Sequence, residues 1–130
     1  MKNRNILKYI IAAGITVTAV SLQAAPMDPK AVVQPKITAE LNIGKINYES
    51  KCAECHGQNI AGTKKGPTFL HRVYHPGHHG DASFYRAAKK GVSAHHWPFG
   101  NMPAVDGVTE KQIKSIILYV RAMQKANGIF

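Results

Sequence analysis

The chain has few of the residues on which most hydrolytic active sites depend. Only seven of its 130 residues are acidic, and no Ser-His-Asp set, paired carboxylates or phosphate-binding glycine loop appears. We therefore expect a protein that is not an enzyme. The sequence also has no strict apolar–polar alternation over five or more residues, no hairpin dipeptide between apolar runs and no internal repeat. These absences argue against a β-rich fold.

The N-terminal residues have the order of a secretory signal. Three basic residues precede a mostly apolar stretch over residues 9–20, and small residues follow just before Pro26. This order predicts a signal peptide at residues 1–24, cleaved after Ala24, and export to the periplasm. An uncleaved membrane anchor is the alternative, although the apolar stretch is shorter than the roughly 20 residues that span a bilayer.

The charge of the mature chain bears on its partners. Without residues 1–24, Lys+Arg falls from 17 to 14 while Asp+Glu stays at 7, which leaves a net charge of about +7. This surplus favours acidic protein partners or an anionic membrane surface, and export argues against nucleic acid. Residues 25–37 hold three prolines without helical period, which predicts a linker before a folded domain at residues 38–130.

The folded part shows three helical patterns and one long loop. Loose helical spacing predicts a helix over residues 38–52, whereas residues 57–80 are too rich in glycine and proline for regular structure. Asp81 is expected to cap a short helix over residues 82–90. A capping box that begins at Thr109 opens a last amphipathic helix. The fold class predicted is all-α, with about three to five helices.

The only two cysteines of the chain lie in one motif, Cys52-Ala53-Glu54-Cys55-His56. This C-x-x-C-H pattern is typical of covalent haem attachment, because one helical turn can present both thiols to the haem vinyl groups and the His56 imidazole to the iron. The alternatives are a disulfide, a redox dithiol or a zinc site completed by two histidines. A redox dithiol of the thioredoxin type needs β-α-β units, and zinc leaves the position of His56 unexplained.

Over residues 38–126 the chain resembles class I monohaem cytochromes c. The resemblance rests on the attachment motif, Gly66-Pro67, Gly44 with Tyr48, and Met102-Pro103. It implies one covalent haem c, a Pro67 carbonyl that accepts a hydrogen bond from His56, and a close helix crossing at Gly44. It also suggests that Trp97 donates its indole N–H to a haem propionate, with core packing as the alternative. Phe69 departs from the family, which usually has Leu there.

The second iron ligand is predicted by elimination to be Met102. The other three methionines fall in the leader, the linker and the apolar stripe of the last helix, whereas Met102 lies on an irregular loop. A neighbouring histidine, His95 or His96, is the alternative. A His/Met pair fills both axial positions and raises the reduction potential, which suits electron transfer. The function predicted is therefore an exported one-electron carrier, and a haem protein with an open iron site is an alternative.

Six histidines outside the motif lie between the Gly-Pro and Met-Pro pairs: His71, His75, His78, His79, His95 and His96. Imidazole suits copper, zinc or nickel, so the cluster suggests a second metal site or an exported metal-binding module. The other interpretation is that these side chains bond haem propionates or backbone. Four lysines close to the motif in sequence favour an acidic docking surface on a redox partner, namely Lys45, Lys51, Lys64 and Lys65.

Overall fold

The computed structural model describes residues 26–130, so the predicted signal peptide at residues 1–24 lies outside the described part. The four α-helices are α1 (Ala39–Lys51), α2 (Ala53–His56), α3 (Asp81–Lys90) and α4 (Glu110–Ala126). The described residues contain no strand, only an isolated antiparallel bridge between Val92 and Met102. Among them, no helix is both long enough and apolar enough to cross a bilayer. The all-α prediction with three to five helices is confirmed.

The two long helices start at the caps that the sequence indicates. Thr38 Oγ1 accepts a hydrogen bond from Leu41 N at 3.2 Å, and Thr109 with Gln112 forms the complete capping box of α4. Helix α3 begins one residue earlier than expected, with Gly80 in the N-cap position. Asp81 does not cap it, because its carboxylate accepts a hydrogen bond from Arg121 Nε on α4 at 2.8 Å.

Helices α1 and α4 cross at Gly44, and their packing forms the centre of the core. A Cβ atom built on Gly44 would overlap the carbonyl oxygen of Ser115 and lie 2.9 Å from Tyr119 Cβ. Only glycine therefore allows the two backbones to approach this closely. Next to the crossing, Tyr48 and Tyr119 are almost fully buried, with ring centroids 5.6 Å apart.

The long loop between α2 and α3 is ordered by polar side chains of α4. Arg121 donates to the carbonyl oxygens of Tyr74 at 2.8 Å and His79 at 2.6 Å. Gln124 is fully buried and donates to the carbonyl oxygen of Phe69 at 2.8 Å. Because these bonds satisfy buried backbone carbonyls, the loop can keep one conformation with no regular secondary structure beyond single turns.

The segment interpreted as a linker packs against the domain in its described part. Val32 is 5 % exposed and belongs to the core cluster around Tyr48. The backbone of Val33 exchanges two hydrogen bonds with the Asn127 side chain, at 2.9 and 2.8 Å. The described part of this proline-containing stretch has no α-helix and only a 3-10 turn at Pro29–Ala31, and its extended backbone docks through its own N–H and C=O groups.

Candidate functional site

The C-x-x-C-H motif forms a single helical turn directly after α1. Cys52 ends α1 with non-helical backbone angles (φ −127°, ψ −32°), and α2 carries Cys55 and His56. The buried Tyr48 hydroxyl donates to the carbonyl oxygen of Gly57 at 2.7 Å, which ties the end of the turn back to α1. Burial raises the pKa of Tyr48, so its hydroxyl stays protonated as a donor. The turn is thereby joined to α1 at its start, through Cys52, and at its end, through the bond from Tyr48 to Gly57.

The His56 ring is buried and oriented by one hydrogen bond. Its Nδ1 lies 3.0 Å from the carbonyl oxygen of Pro67. A carbonyl oxygen can only accept, so Nδ1 carries the proton and Nε2 keeps its lone pair, as in histidine ligands of metals. Burial lowers the pKa of His56, which keeps the ring neutral. The Phe69 ring stacks on it, with centroids 4.2 Å apart.

The two cysteines differ in exposure, since Cys52 is half-buried and Cys55 is exposed. Burial, with a further contribution from Cys55, raises the pKa of Cys52 to about 11. Redox dithiols and zinc ligands both depend on thiolates, which a low pKa favours. The raised pKa of Cys52 is therefore unfavourable for a redox dithiol.

The attachment turn opens onto one large cavity of about 720 Å³. Cys55 and His56 line it together with Met102, and most other lining side chains are apolar, among them Phe69 and Phe84. This volume is within the range of cofactor pockets, about 300–1,000 Å³. Two thiols, a neutral imidazole and a thioether around an apolar cavity fit a covalently attached haem.

Met102 lies on a loop whose backbone is fixed. Its N–H and C=O both pair with Val92, each at 2.9 Å. Gly91, at φ +74°, packs so tightly against this pair that a Cβ there would overlap the carbonyl oxygen of Met102. The Met102 backbone is thus held beside the cavity, while the unbranched thioether side chain can still adjust.

Trp97 has a protein partner for its indole N–H. Trp97 Nε1 donates to the Tyr74 hydroxyl at 3.1 Å, and the His71 ring stands perpendicular to the indole at 4.7 Å between centroids. Trp97 is half-buried and lines the cavity. Tyr74 therefore provides one partner for the indole N–H, and donation from Trp97 to a haem propionate stays a prediction.

The structure separates the six additional histidines into two groups. Two of them act as local caps: His71 Nδ1 accepts from Val73 N at 3.1 Å, and His75 Nδ1 accepts from Gly77 N at 2.9 Å. Three others converge at the edge of the cavity, namely His78, His79 and His96. His95 lies next to this group. Desolvation lowers the pKa of His79 and His96, and neighbouring imidazoles lower it further.

Two of the four lysines near the motif are paired with carboxylates. Lys45 lies 3.8 Å from Glu49, and Lys65 lies 2.7 Å from Glu54. These pairs reduce the positive field that the sequence positions alone suggest, although exposed pairs contribute little to stability. Lys64 is exposed, and Lys51 Nζ donates to the carbonyl oxygen of Asp106 at 3.3 Å.

Arg121, Gln124 and Tyr74 support the site but had no role in the sequence analysis. Arg121 is only 13 % exposed in its side chain and lies with its guanidinium carbon 4.9 Å above the Phe84 ring. Arg121 and Gln124 are three residues apart at the border of the apolar stripe of α4. Two long hydrogen-bonding side chains at the border of an apolar stripe could have indicated that α4 bonds a neighbouring loop.

The helices and the cavity together define a small α-helical protein built around covalent haem. A family model described as Cytochrome c matches residues 41–124, well over half of the chain. The chain belongs to the cytochrome c family, and its cofactor is haem c, bound through the motif that contains Cys52 and Cys55. The resemblance noted in the sequence is confirmed. No curated protein and no solved structure shows a significant match.

Proposed function

We propose that this protein is an exported, monohaem electron carrier in which His56 and Met102 are the axial ligands of the iron. Membership of the cytochrome c family supports the coarser statement, a haem c electron carrier. The observation that carries the finer proposal is the cavity that Cys52, Cys55, His56 and Met102 line together. When bound, the haem iron takes up and releases one electron by alternating between Fe³⁺ and Fe²⁺.

The residues of this chain have distinct tasks in that proposal. Cys52 and Cys55 tether the haem, and the Pro67 carbonyl keeps the proton of His56 on Nδ1, which leaves Nε2 for the iron. Apolar side chains exclude water from the cavity, which limits solvent reorganisation when the charge of the iron changes. Met102 would hold the iron on the side opposite its own chain's His56, and a bound thioether there would disfavour binding of O₂ or peroxide.

The docking surface is proposed to be the basic edge of the cavity. Lys51, Arg86 and Lys90 are among its lining residues. These cations, rather than the paired Lys45 and Lys65, are suited to meet an acidic partner beside the haem. Redox complexes are small and transient, so such charges act mainly on the association rate.

Export is proposed from the charge and hydropathy order of residues 1–24. N-terminal sequencing of the mature protein tests it, because cleavage after Ala24 yields a chain that begins at Ala25. A chain that retains Met1 and fractionates with membranes would support the anchored alternative instead.

Met102→Ala tests the axial ligation. In the haem-loaded wild type we expect a pyridine haemochrome of haem c and, in the oxidised form, the weak near-infrared band of iron–thioether ligation. The variant should lose that band, bind carbon monoxide and have a lower reduction potential, because one axial position is vacated. An unchanged spectrum would refute Met102 as ligand and direct the same test to His95 and His96.

Met123→Leu is the matched control. Met123 is a fully buried core residue of α4. A substitution of similar volume there should preserve the thioether band and the reduction potential.

A further inference from the structure

Three histidines from two separated loop segments meet at one place beside the haem cavity. His78 and His79 lie before α3, and His96 lies after it. Their metal-binding nitrogen atoms all lie within 4.8 Å of one another. Cationic or neutral imidazoles gain little from mutual contact alone, so this convergence calls for a ligand that three imidazoles share.

We propose that His78, His79 and His96 bind a divalent transition-metal ion, and Zn²⁺ is the ion to test because one nitrogen pair has the separation of its ligands. His78 Nε2 and His96 Nε2 are 3.4 Å apart, longer than an ordinary N–H···N hydrogen bond. Two nitrogen ligands of a tetrahedral Zn²⁺, each about 2.0–2.1 Å from the ion, are about 3.3 Å apart. The observed separation therefore matches two adjacent ligands of one tetrahedral ion.

His79 makes the kind of hydrogen bond to a backbone carbonyl that orients metal-bound histidines. His79 Nδ1 lies 2.7 Å from the carbonyl oxygen of Val73. Because the carbonyl only accepts, the proton is on Nδ1, and the lone pair of His79 is on Nε2. Arg121 in turn donates to the carbonyl oxygen of His79 at 2.6 Å. The ring and the backbone of His79 are therefore both held in position from α4 and the loop.

Two other histidines of the loop differ from His79 in their tautomer. His71 and His75 accept backbone N–H groups at Nδ1, so their neutral rings carry the proton on Nε2 and have no lone pair left for an ion. His95 Nδ1 lies 2.8 Å from Ser93 O, so its Nε2 is also free. Position sets His95 apart, because the group of nitrogen atoms within 4.8 Å of one another comprises His78, His79 and His96.

Three protein ligands leave the fourth position of a tetrahedral ion open to water or to an external ligand. All three side chains line the edge of the haem cavity, and His96 is free for this ion when Met102 is the iron ligand, so the inference rests on the proposed axial ligation. Cu²⁺ binds imidazole sites more tightly than Zn²⁺, so it should compete for the same three side chains.

The test uses the haem-loaded, untagged protein, since an affinity tag would add histidines. Equilibrium dialysis against zinc sulfate, with metal counted by mass spectrometry, should give one Zn²⁺ per chain. Each of the variants His78→Gln, His79→Gln and His96→Gln should weaken binding by at least about 10- to 100-fold, because even the loss of a hydrogen-bond partner behind a ligand costs that much. The control, His75→Gln, replaces a capping histidine of the same loop and should bind zinc as the wild type does.

X-ray absorption spectroscopy at the zinc edge gives a readout that the haem iron does not disturb. It should show three imidazole nitrogens around the ion. His78 is exposed, so its replacement preserves the fold and keeps the test meaningful if His79→Gln is unstable. Binding of less than one ion per chain would overturn the proposal. So would an equal loss in His75→Gln, or variants that alter the haem spectrum while zinc binding stays unchanged.

Discussion

The crossing of α1 and α4 makes a sharp stability prediction for Gly44→Ala. On an exposed helix the change would stabilise the protein, because alanine is favoured over glycine by about 1 kcal/mol in a helix interior. Here the new methyl group would overlap the carbonyl oxygen of Ser115 and lie 2.9 Å from Tyr119 Cβ. Both obstacles are fixed to helix backbones, so neither can rotate away, and the helices must separate.

Overpacking of a well-packed core costs about 1–3 kcal/mol, and a backbone obstacle puts this case at the upper end. After the propensity gain is subtracted, we expect a net loss of about 2 kcal/mol. At about 4–8 °C per kcal/mol for a domain of this size, the melting temperature should fall by roughly 10 °C or more.

Urea unfolding of the haem-loaded protein, followed by circular dichroism, measures this loss. The control is Ile43→Ala, because Ile43 is 57 % exposed on the same helix and its replacement should change the free energy of unfolding by no more than about 0.5 kcal/mol. A Gly44→Ala protein as stable as the wild type, or more stable, would refute the close approach of the two helices.

Three further predictions concern the cofactor, its supporting turn and its partner. Joint replacement of Cys52 and Cys55 by Ala should abolish the haem stain of denatured protein on a gel, and a matured wild type that carries zinc without haem would contradict the covalent attachment. Tyr48→Phe should cost about 1–3 kcal/mol in urea unfolding, because it removes the side-chain donor that residues 26–130 provide to the buried Gly57 carbonyl. The rate of stopped-flow reduction by a physiological partner should fall as salt shortens the Debye length to about 10 Å and below. Lys90→Gln should flatten that salt dependence more than Lys45→Gln, and a rate that does not respond to salt would refute steering by charge.

The features that the sequence predicted well are those set by local chemistry. The capping box at Thr109 and the apolar spacing of α4 depend on residues three or four apart, and the structure has this helix at Glu110–Ala126. The attachment motif is equally local, because one turn contains both thiols and His56. Such patterns need no knowledge of distant contacts.

The features that the sequence could not supply depend on partners far along the chain. Asp81 was expected to cap α3, but Arg121, 40 residues away, takes its carboxylate. The packing of Val32 and the bonds of Val33 to Asn127, 94 residues away, were likewise hidden in a proline-containing segment. The sorting of the loop histidines by tautomer also depends on backbone groups whose positions only the folded loop determines.

Helix α4 links the two sites, since it supports both the haem cavity and the loop that carries the histidines. Its apolar face packs on α1, which leads directly into the attachment turn, and Ile117 lines the cavity. On the adjoining face, Arg121 holds the carbonyl oxygens of Tyr74 and His79. The contacts of α4 therefore reach both the attachment turn, through α1, and the backbone that carries His79. His96 lies on the separate segment after α3, so the position of the proposed ion relative to the haem depends on α4 and on that segment together.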